Sequence, residues 1–177
     1  MLNGVSWFRP ALFAVLLAAV PLVAVPVTVR ADDAEAADLA GVAAVRIAIN
    51  QTTPDAASCG VDLQRLLPVL SDGLRAGGLA VRPAADVTIA LTVLTGYDSD
   101  TGVCATAPML GTYRRVSYFD TAVGWLRSGH IVLWQRGTTA TSAIAEHAGL
   151  VQRAVIDLST ALLTSWRADN GGGVANR

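Results

Sequence analysis

The chain contains no lysine, so its 13 basic side chains are all arginines, and these are spread along 177 residues. This distribution produces neither a basic stripe nor a polybasic run. Recognition of nucleic acid and electrostatic attachment to a membrane both depend on such clusters of positive charge. We therefore expect no nucleic-acid partner, and we expect membrane contact only if an apolar N-terminal segment is retained.

Histidine is also scarce, and the usual spacings of catalytic and metal-binding residues are missing. His130 and His147 belong to no HExxH pattern. Ser128 lacks the glycines that a nucleophile elbow has two residues before and two residues after the serine, and the glycines at 171–173 open no helix as a phosphate loop does. We predict surface or structural roles for both histidines, with His147 on a wet face. The sequence thus favours a protein without catalytic residues, a metal or a cofactor.

The N-terminus has the layout of a secretory signal peptide. Arg9 precedes an uncharged apolar run at 11–29, and the run is followed by a small-residue cleavage pattern that ends at Ala31. An uncleaved anchor is the alternative, because the run approaches the length of a membrane span. Pro21 and Pro26 interrupt the run, which favours cleavage. We predict a periplasmic or secreted protein.

Composition divides the chain into four segments. We predict a signal peptide at 1–31, a mobile acidic and alanine-rich lead-in at 32–44, a single α/β domain at 45–169 and a disordered tail at 170–177. Two of the 13 arginines lie in the signal peptide, which leaves 11 arginines against 14 acidic side chains. The richness in alanine and arginine suggests a bacterial genome of high GC content.

Two helices are predicted from the spacing of apolar residues. Leucines between 61 and 75 recur at intervals of three and four residues, with Pro68 expected to kink or split this helix and Gly77 to end it. A second apolar stripe runs from Val151 to Trp166.

Strands are predicted from alternation. Segments 45–49 and 86–96 alternate cleanly, and another strand begins at 103–106. The pattern breaks at 108–112. Two further strands, at 116–127 and 130–136, are predicted to form a hairpin that turns at Ser128-Gly129.

This element order predicts the fold class. The order β-α-β-β-β-β-α, with short connections, favours an α+β two-layer sandwich. We expect a mainly antiparallel sheet of four to five strands with two helices on one face.

The segment GYDSDTGVC at 96–104 brings two acids, a glycine and a cysteine together. Asp98 and Asp100 match the first ligands of an EF-hand loop, but Gly102 and Val103 stand where the next ligand and the glycine belong. We interpret the segment as a turn between strands, because Asp, Ser and Gly are the residues that turns require.

Cys59 and Cys104 are the two cysteines of the chain. Export to an oxidising compartment favours a disulfide between them. Both fall at one end of the sheet if the first helix is antiparallel to the strand at 86–96. The alternative is a thiol nucleophile.

Two surfaces are candidates for binding. Arg114 and Arg115 form a candidate anion contact, although a solvated strand edge is the favoured interpretation. Alternation places Ala90 and Thr92 on the sheet face away from the helices. If Val132 and Trp134 also face outward, the tryptophan would anchor a partner. The alternative is that Trp134 packs under the C-terminal helix. The candidate partner surface is therefore Trp134, Val132, Ala90 and Thr92.

We expect an exported bacterial envelope protein that acts without catalysis, as an accessory or assembly factor, through protein contacts. Its partner would be another envelope protein or a second copy of itself. One alternative is a small-molecule or ion-binding periplasmic module that uses Asp98 and Asp100 or the two arginines. Another is an enzyme with an unrecognised site built on Cys104 or His130.

Overall fold

One mixed β-sheet and two helices make up the part of the chain that the structure describes. This computed structural model describes residues 38–50 and 53–171. The predicted signal peptide and its cleavage site lie outside these residues. In chain order the elements are β1 (Ala44–Asn50), α1 (Leu63–Ala76), β2 (Ala80–Val81), β3 (Val87–Asp98), β4 (Val103–Asp120), β5 (Trp125–Gly137), β6 (Ala140–Ala143) and α2 (Ile144–Gly171). The predicted α+β sandwich is confirmed.

The sheet order is β2-β1-β3-β4-β5, and β6 pairs with β4 beyond the end of β5. β1 is parallel to both β2 and β3, whereas β3, β4, β5 and β6 pair antiparallel. Consecutive parallel strands need a crossover connection, and α1 supplies this connection between β1 and β2. The short strands β2 and β6 were not predicted because two and four residues are too few to show alternation.

Alternation correctly predicts the face of the sheet that the helices cover. The alternating positions of β1 and β3 supply core residues that are almost completely buried, namely Val45, Val87, Ile89, Leu91 and Val93. They pack with the leucines of α1 and α2 into one hydrophobic core. The opposite face of β1 and β3 carries shorter side chains.

The β4–β5 hairpin is longer than predicted, and the predicted turn at Ser128-Gly129 is wrong. Both residues lie within β5, where they pair with Ser117 and Val116 of β4. The chain turns instead at 121–124, where Gly124 has a φ of 72°, a conformation that favours glycine. Short side chains in mid-strand resemble a turn when only the sequence is considered.

β4 also continues through the break predicted at 108–112. The carbonyl of Pro108 accepts a hydrogen bond from the backbone N–H of Thr138 at 3.0 Å. The proline nitrogen faces the same side of the strand, at the gap between the end of β5 and the start of β6. A strand tolerates proline where no ladder hydrogen bond is required from it.

α1 begins at an N-cap, Asp62, whose carboxylate accepts a hydrogen bond from the backbone N–H of Gln64 at 2.8 Å. The helix stays whole through Pro68 rather than splitting there. It ends at Gly77, as predicted, and Gly77 closely approaches the side chain of Leu163 in α2.

The folded unit extends beyond both predicted domain boundaries. Leu39 and Val42, in the predicted lead-in, are buried in the core. The carboxylate of Asp169 accepts from the backbone N–H of Leu39 at 3.0 Å, and the amide oxygen of Asn170 accepts from that of Gly41 at 2.9 Å. The end of the lead-in and the start of the predicted tail therefore hold each other in place.

Candidate interaction surface

A disulfide joins Cys59, in the loop before α1, to Cys104 at the start of β4, with their Cα atoms 5.9 Å apart. Both residues are completely buried. The predicted bridge is thus present, and both cysteines of the sequence are bonded in it. A thiol nucleophile at Cys104 is not compatible with this pairing.

The 96–104 segment uses the carboxylate of Asp98 within the turn itself. The carboxylate of Asp98 accepts hydrogen bonds from the backbone N–H of Asp100 at 3.0 Å and from the hydroxyl of Thr101 at 2.7 Å. The Thr101 hydroxyl lowers the pKa of Asp98, and the Asp100 amide adds to this effect. Within 38–50 and 53–171, His, Cys, Asp and Glu side chains form no group of three that could hold a metal ion.

Arg114 and Arg115 point to opposite faces of β4. Arg114 is directly opposite Val87, so it lies on the helix side of the sheet. Arg115 pairs with His130 on the other face and donates a hydrogen bond to the hydroxyl of Ser128 at 3.3 Å. Because neighbouring strand residues alternate, the two guanidinium groups do not converge on a single anion.

A β-bulge decides where Trp134 lies. Thr112 pairs with Trp134 and Tyr113 pairs with Val132, so Leu133 is an extra residue in β5. A bulge interrupts the alternation of a strand. Trp134 is therefore only 8% exposed and faces the helices, whereas Val132 is 54% exposed. The hypothesis that both side chains face outward fails for this reason, and Trp134 packs under α2.

Among the described residues, exposed large apolar side chains are most concentrated in the far half of the β4–β5 hairpin. Its residues 115–130, which we call the arm, lie beyond the last pair between β3 and β4, so the two strands pair only with each other. Trp125 is 72% exposed and Leu126 is 76% exposed. The other large apolar side chains exposed on the arm are Tyr118, Phe119 and Val123. These side chains contribute nothing to the core of the sandwich.

The arm presents apolar groups on both of its faces. Phe119 pairs with Leu126 on one face, and Asp120 pairs with Trp125 on the other. The carboxylate of Asp120 lies 3.0 Å from the guanidinium of Arg127. A surface ion pair of this kind contributes only about 0–1 kcal/mol to stability, and it does not account for the exposed aromatic residues. Large exposed apolar patches mark interaction sites.

The arm is not evident from the sequence because Ser128-Gly129 is typical of a hairpin turn. The sequence nevertheless contains residues that favour a turn within 118–126. The stretch 118–126 has an aspartate and a glycine four residues apart, and large apolar residues flank both. A turn there leaves those residues at the tip of a hairpin instead of in the middle of a strand.

His147 is fully buried, contrary to the prediction of a wet face. Its Nε2 lies 2.6 Å from the hydroxyl of Thr106, and its Nδ1 lies 3.0 Å from that of Ser142. Thr106 in turn contacts the hydroxyl of Thr95 at 3.0 Å. Burial lowers the pKa of His147. The chain of hydroxyl groups satisfies a buried imidazole and fastens the start of α2 to the sheet.

Two depressions lie elsewhere on the surface. One, of about 430 Å³, lies on the open face of the sheet between Arg46, Tyr113 and His130, over a floor of Ala48, Thr88 and Ala90. The other, of about 630 Å³, lies beside the disulfide. Its lining consists mainly of small side chains in the 53–65 segment.

No protein-family model and no curated protein matches the sequence. Among solved structures, a PelC dodecamer from Paraburkholderia phytofirmans is 17% identical, with a TM-score of 0.42 over 70% of this chain and 87% of that chain. A minor lipoprotein from Acinetobacter baumannii is 8% identical, with a TM-score of 0.34 over 72% of this chain and 93% of that chain. Both TM-scores are too low for the likeness to carry an argument.

Neither helix in the described part of the chain combines the length and the apolar character needed to cross a membrane.

Proposed function

We propose that this chain is an exported bacterial envelope protein that acts without catalysis, as an accessory or assembly factor, through protein contacts made by the arm. The observation that carries the proposal is the concentration of exposed apolar side chains at 118–126. The signal-like N-terminus and the disulfide support an oxidising location outside the cytoplasm.

The chemistry of the arm is that of a protein-binding surface. Tryptophan, tyrosine and arginine are the residues that most often dominate binding energy at interfaces. Tyr118 pairs with Arg127 near the tip of the arm, and Trp125 lies two residues before Arg127 on the same face. An exposed two-stranded ribbon is marginally stable alone, so a partner that covers these side chains also stabilises the ribbon.

The state of the cysteines, His147 and Asp98 supports a function without catalysis. Both cysteines are bonded. His147 is buried among hydroxyl groups and has no access to a substrate. Asp98 is engaged in its own turn.

A small-molecule module is the second candidate, and the depression on the open face favours it. Arg46, Tyr113 and His130 surround a floor of short side chains there. These groups suit a small anionic ligand, because each carries a hydrogen-bond donor. Arg46→Ala would weaken ligand binding at this site and leave contacts of the arm intact.

Site-specific photocrosslinking in the native envelope tests the proposal. A photoreactive residue at Leu126 should give discrete adducts with a protein, and one at Ile156, an exposed apolar position on α2, should not. The double variant Trp125→Ser/Leu126→Ser should lose the cellular function while keeping the melting temperature. Equal adducts at both positions, or none at Leu126, would contradict a role for the arm.

A further inference from the structure

The arm and the depression beside the disulfide lie towards opposite ends of β3. β3 begins at Val87, which pairs with Arg114 at the base of the arm. It ends at Asp98, which pairs with Val103 next to the disulfide. The 12 residues of β3 span roughly 36 Å at about 3.3 Å per residue. The arm therefore does not reach the depression of its own chain.

The depression is open to solvent and large enough to receive side chains, and its lining mixes apolar groups with the polar side chains of Thr53, Asp62 and Arg65. Its volume of about 630 Å³ falls within the roughly 300–1,000 Å³ of pockets that hold small ligands. The apolar part of the lining comprises Pro54, Ala56, Ala57, Val61 and Leu63. We call this depression the groove. The Cys59–Cys104 disulfide ties the segment that forms it to β4.

Among the residues that the structure describes, the groups near the two ends of β3 also differ in charge. The arm contains Arg115 and Arg127 against the single carboxylate of Asp120, and Arg114 stands at its base. The end that carries the groove has five carboxylates, on Asp55, Asp62, Asp98, Asp100 and Glu146, all placed there by the turns and helix starts next to the disulfide. One arginine, Arg65, accompanies them and lies 3.5 Å from Asp62.

We infer that the partner of the arm is a second copy of this chain, whose groove receives the tip of the arm. This inference rests on the proposed function, since it names the partner of the same arm. Complementary charge steers and orients association, and a basic arm suits the acidic end of the next copy. Pairing two arms with each other would instead bring their arginines together.

Head-to-tail contact between an arm and the groove of the next copy determines how large the assembly becomes. A heterologous interface leaves one arm and one groove free after each step, so it continues until a ring closes or a filament grows. The assembly should therefore exceed a dimer as protein concentration rises. Raising the salt concentration should weaken it, because salt screens exposed charges.

Two complementary variants test the inference with the exported, disulfide-bonded chain. Trp125→Ser/Leu126→Ser removes the tip of the arm and leaves the groove intact. Ala57→Arg fills the groove with a bulky cation and leaves the arm intact. In sedimentation velocity, each variant alone should be monomeric at concentrations at which the unmodified chain assembles, a loss of tenfold or more in affinity. A mixture of the two should form a one-to-one dimer and nothing larger.

The controls separate this inference from the proposed function. Ile156→Ser, which removes an exposed apolar group outside the arm, should assemble like the unmodified chain. If Ala57→Arg assembles normally while the arm variant does not, the arms contact each other and the groove is not involved, which overturns the inference. An unmodified chain that is monomeric at every concentration, while Leu126 still crosslinks to another protein, overturns the inference and leaves the proposed function standing.

Discussion

Trp134 donates its indole N–H to the hydroxyl of Ser165 at 3.2 Å, which joins β5 to α2 on the covered face of the sheet. Nine residues earlier on the same strand, Trp125 is 72% exposed. One tryptophan of β5 therefore packs in the core at one end of the strand, whereas the other is exposed to solvent at the opposite end. This contrast separates the part of the hairpin that stabilises the fold from the part available to a partner.

Replacing these two tryptophans should have very different effects on stability. Trp134→Ala removes a buried aromatic side chain, and we expect a loss of about 3–5 kcal/mol in the free energy of unfolding. Trp125→Ala should change it by no more than about 0.5 kcal/mol, as exposed substitutions usually do. Urea denaturation with the disulfide intact measures both. A comparable loss for Trp125→Ala would show that the arm packs against its own chain.

The covered face of the sheet was predictable because alternation in β1 and β3 is regular. Val87, Ile89 and Leu91 are separated by single residues, and all three are buried. In strands of this kind, the period of two identifies which side chains lie on the same face of the sheet. The two leucine-containing helices were predictable for the corresponding reason, a period near 3.6.

The position of Trp134 was not predictable from alternation, because one extra residue reverses it. Leu133 forms a bulge whose existence depends on how β5 pairs with β4, and pairing is a tertiary property. The arm was missed because local composition favoured a turn at Ser128-Gly129. Exposure of Trp125 and Leu126 became evident only when the true turn was known.

Loss of the disulfide should destabilise the fold strongly. Cys59 and Cys104 are 45 residues apart, and a loop of that size corresponds to roughly 4 kcal/mol in the chain-entropy account of disulfide stabilisation. Cys59→Ser/Cys104→Ser should lose about that amount in chemical denaturation, and the unmodified chain in reductant should behave similarly. Alkylation of both thiols without reductant would show instead that the bridge does not form.

Gly77→Ala should destabilise the contact between the two helices. Gly77 has an ordinary φ of −74°, so the cost is one of space rather than of backbone strain. A Cβ there would clash with Cδ1 of the buried Leu163. Overpacking of this kind costs about 1–3 kcal/mol. The matched control is Gly96→Ala in β3, where an added Cβ meets nothing within 4 Å. A melting temperature lowered only in Gly77→Ala is the expected result, and equal shifts would contradict it.

Acid should weaken the fold through His147. Burial lowers the pKa of this imidazole below its ordinary value near 6.5, so the folded chain holds it neutral and the unfolded chain binds a proton more readily. The stabilising contribution is complete above about pH 6.5 and is lost as the pH falls from there towards the lowered pKa, by at most about 1.4 kcal/mol per pH unit.

His147→Gln retains a donor and an acceptor for Thr106 and Ser142 but has no titrating group. Melting temperatures measured from pH 8 down to about pH 5 should fall more steeply for the unmodified chain than for His147→Gln. His130→Gln, on the exposed arm, should keep the steeper slope, and an unchanged slope in His147→Gln would show that the buried imidazole does not govern this range.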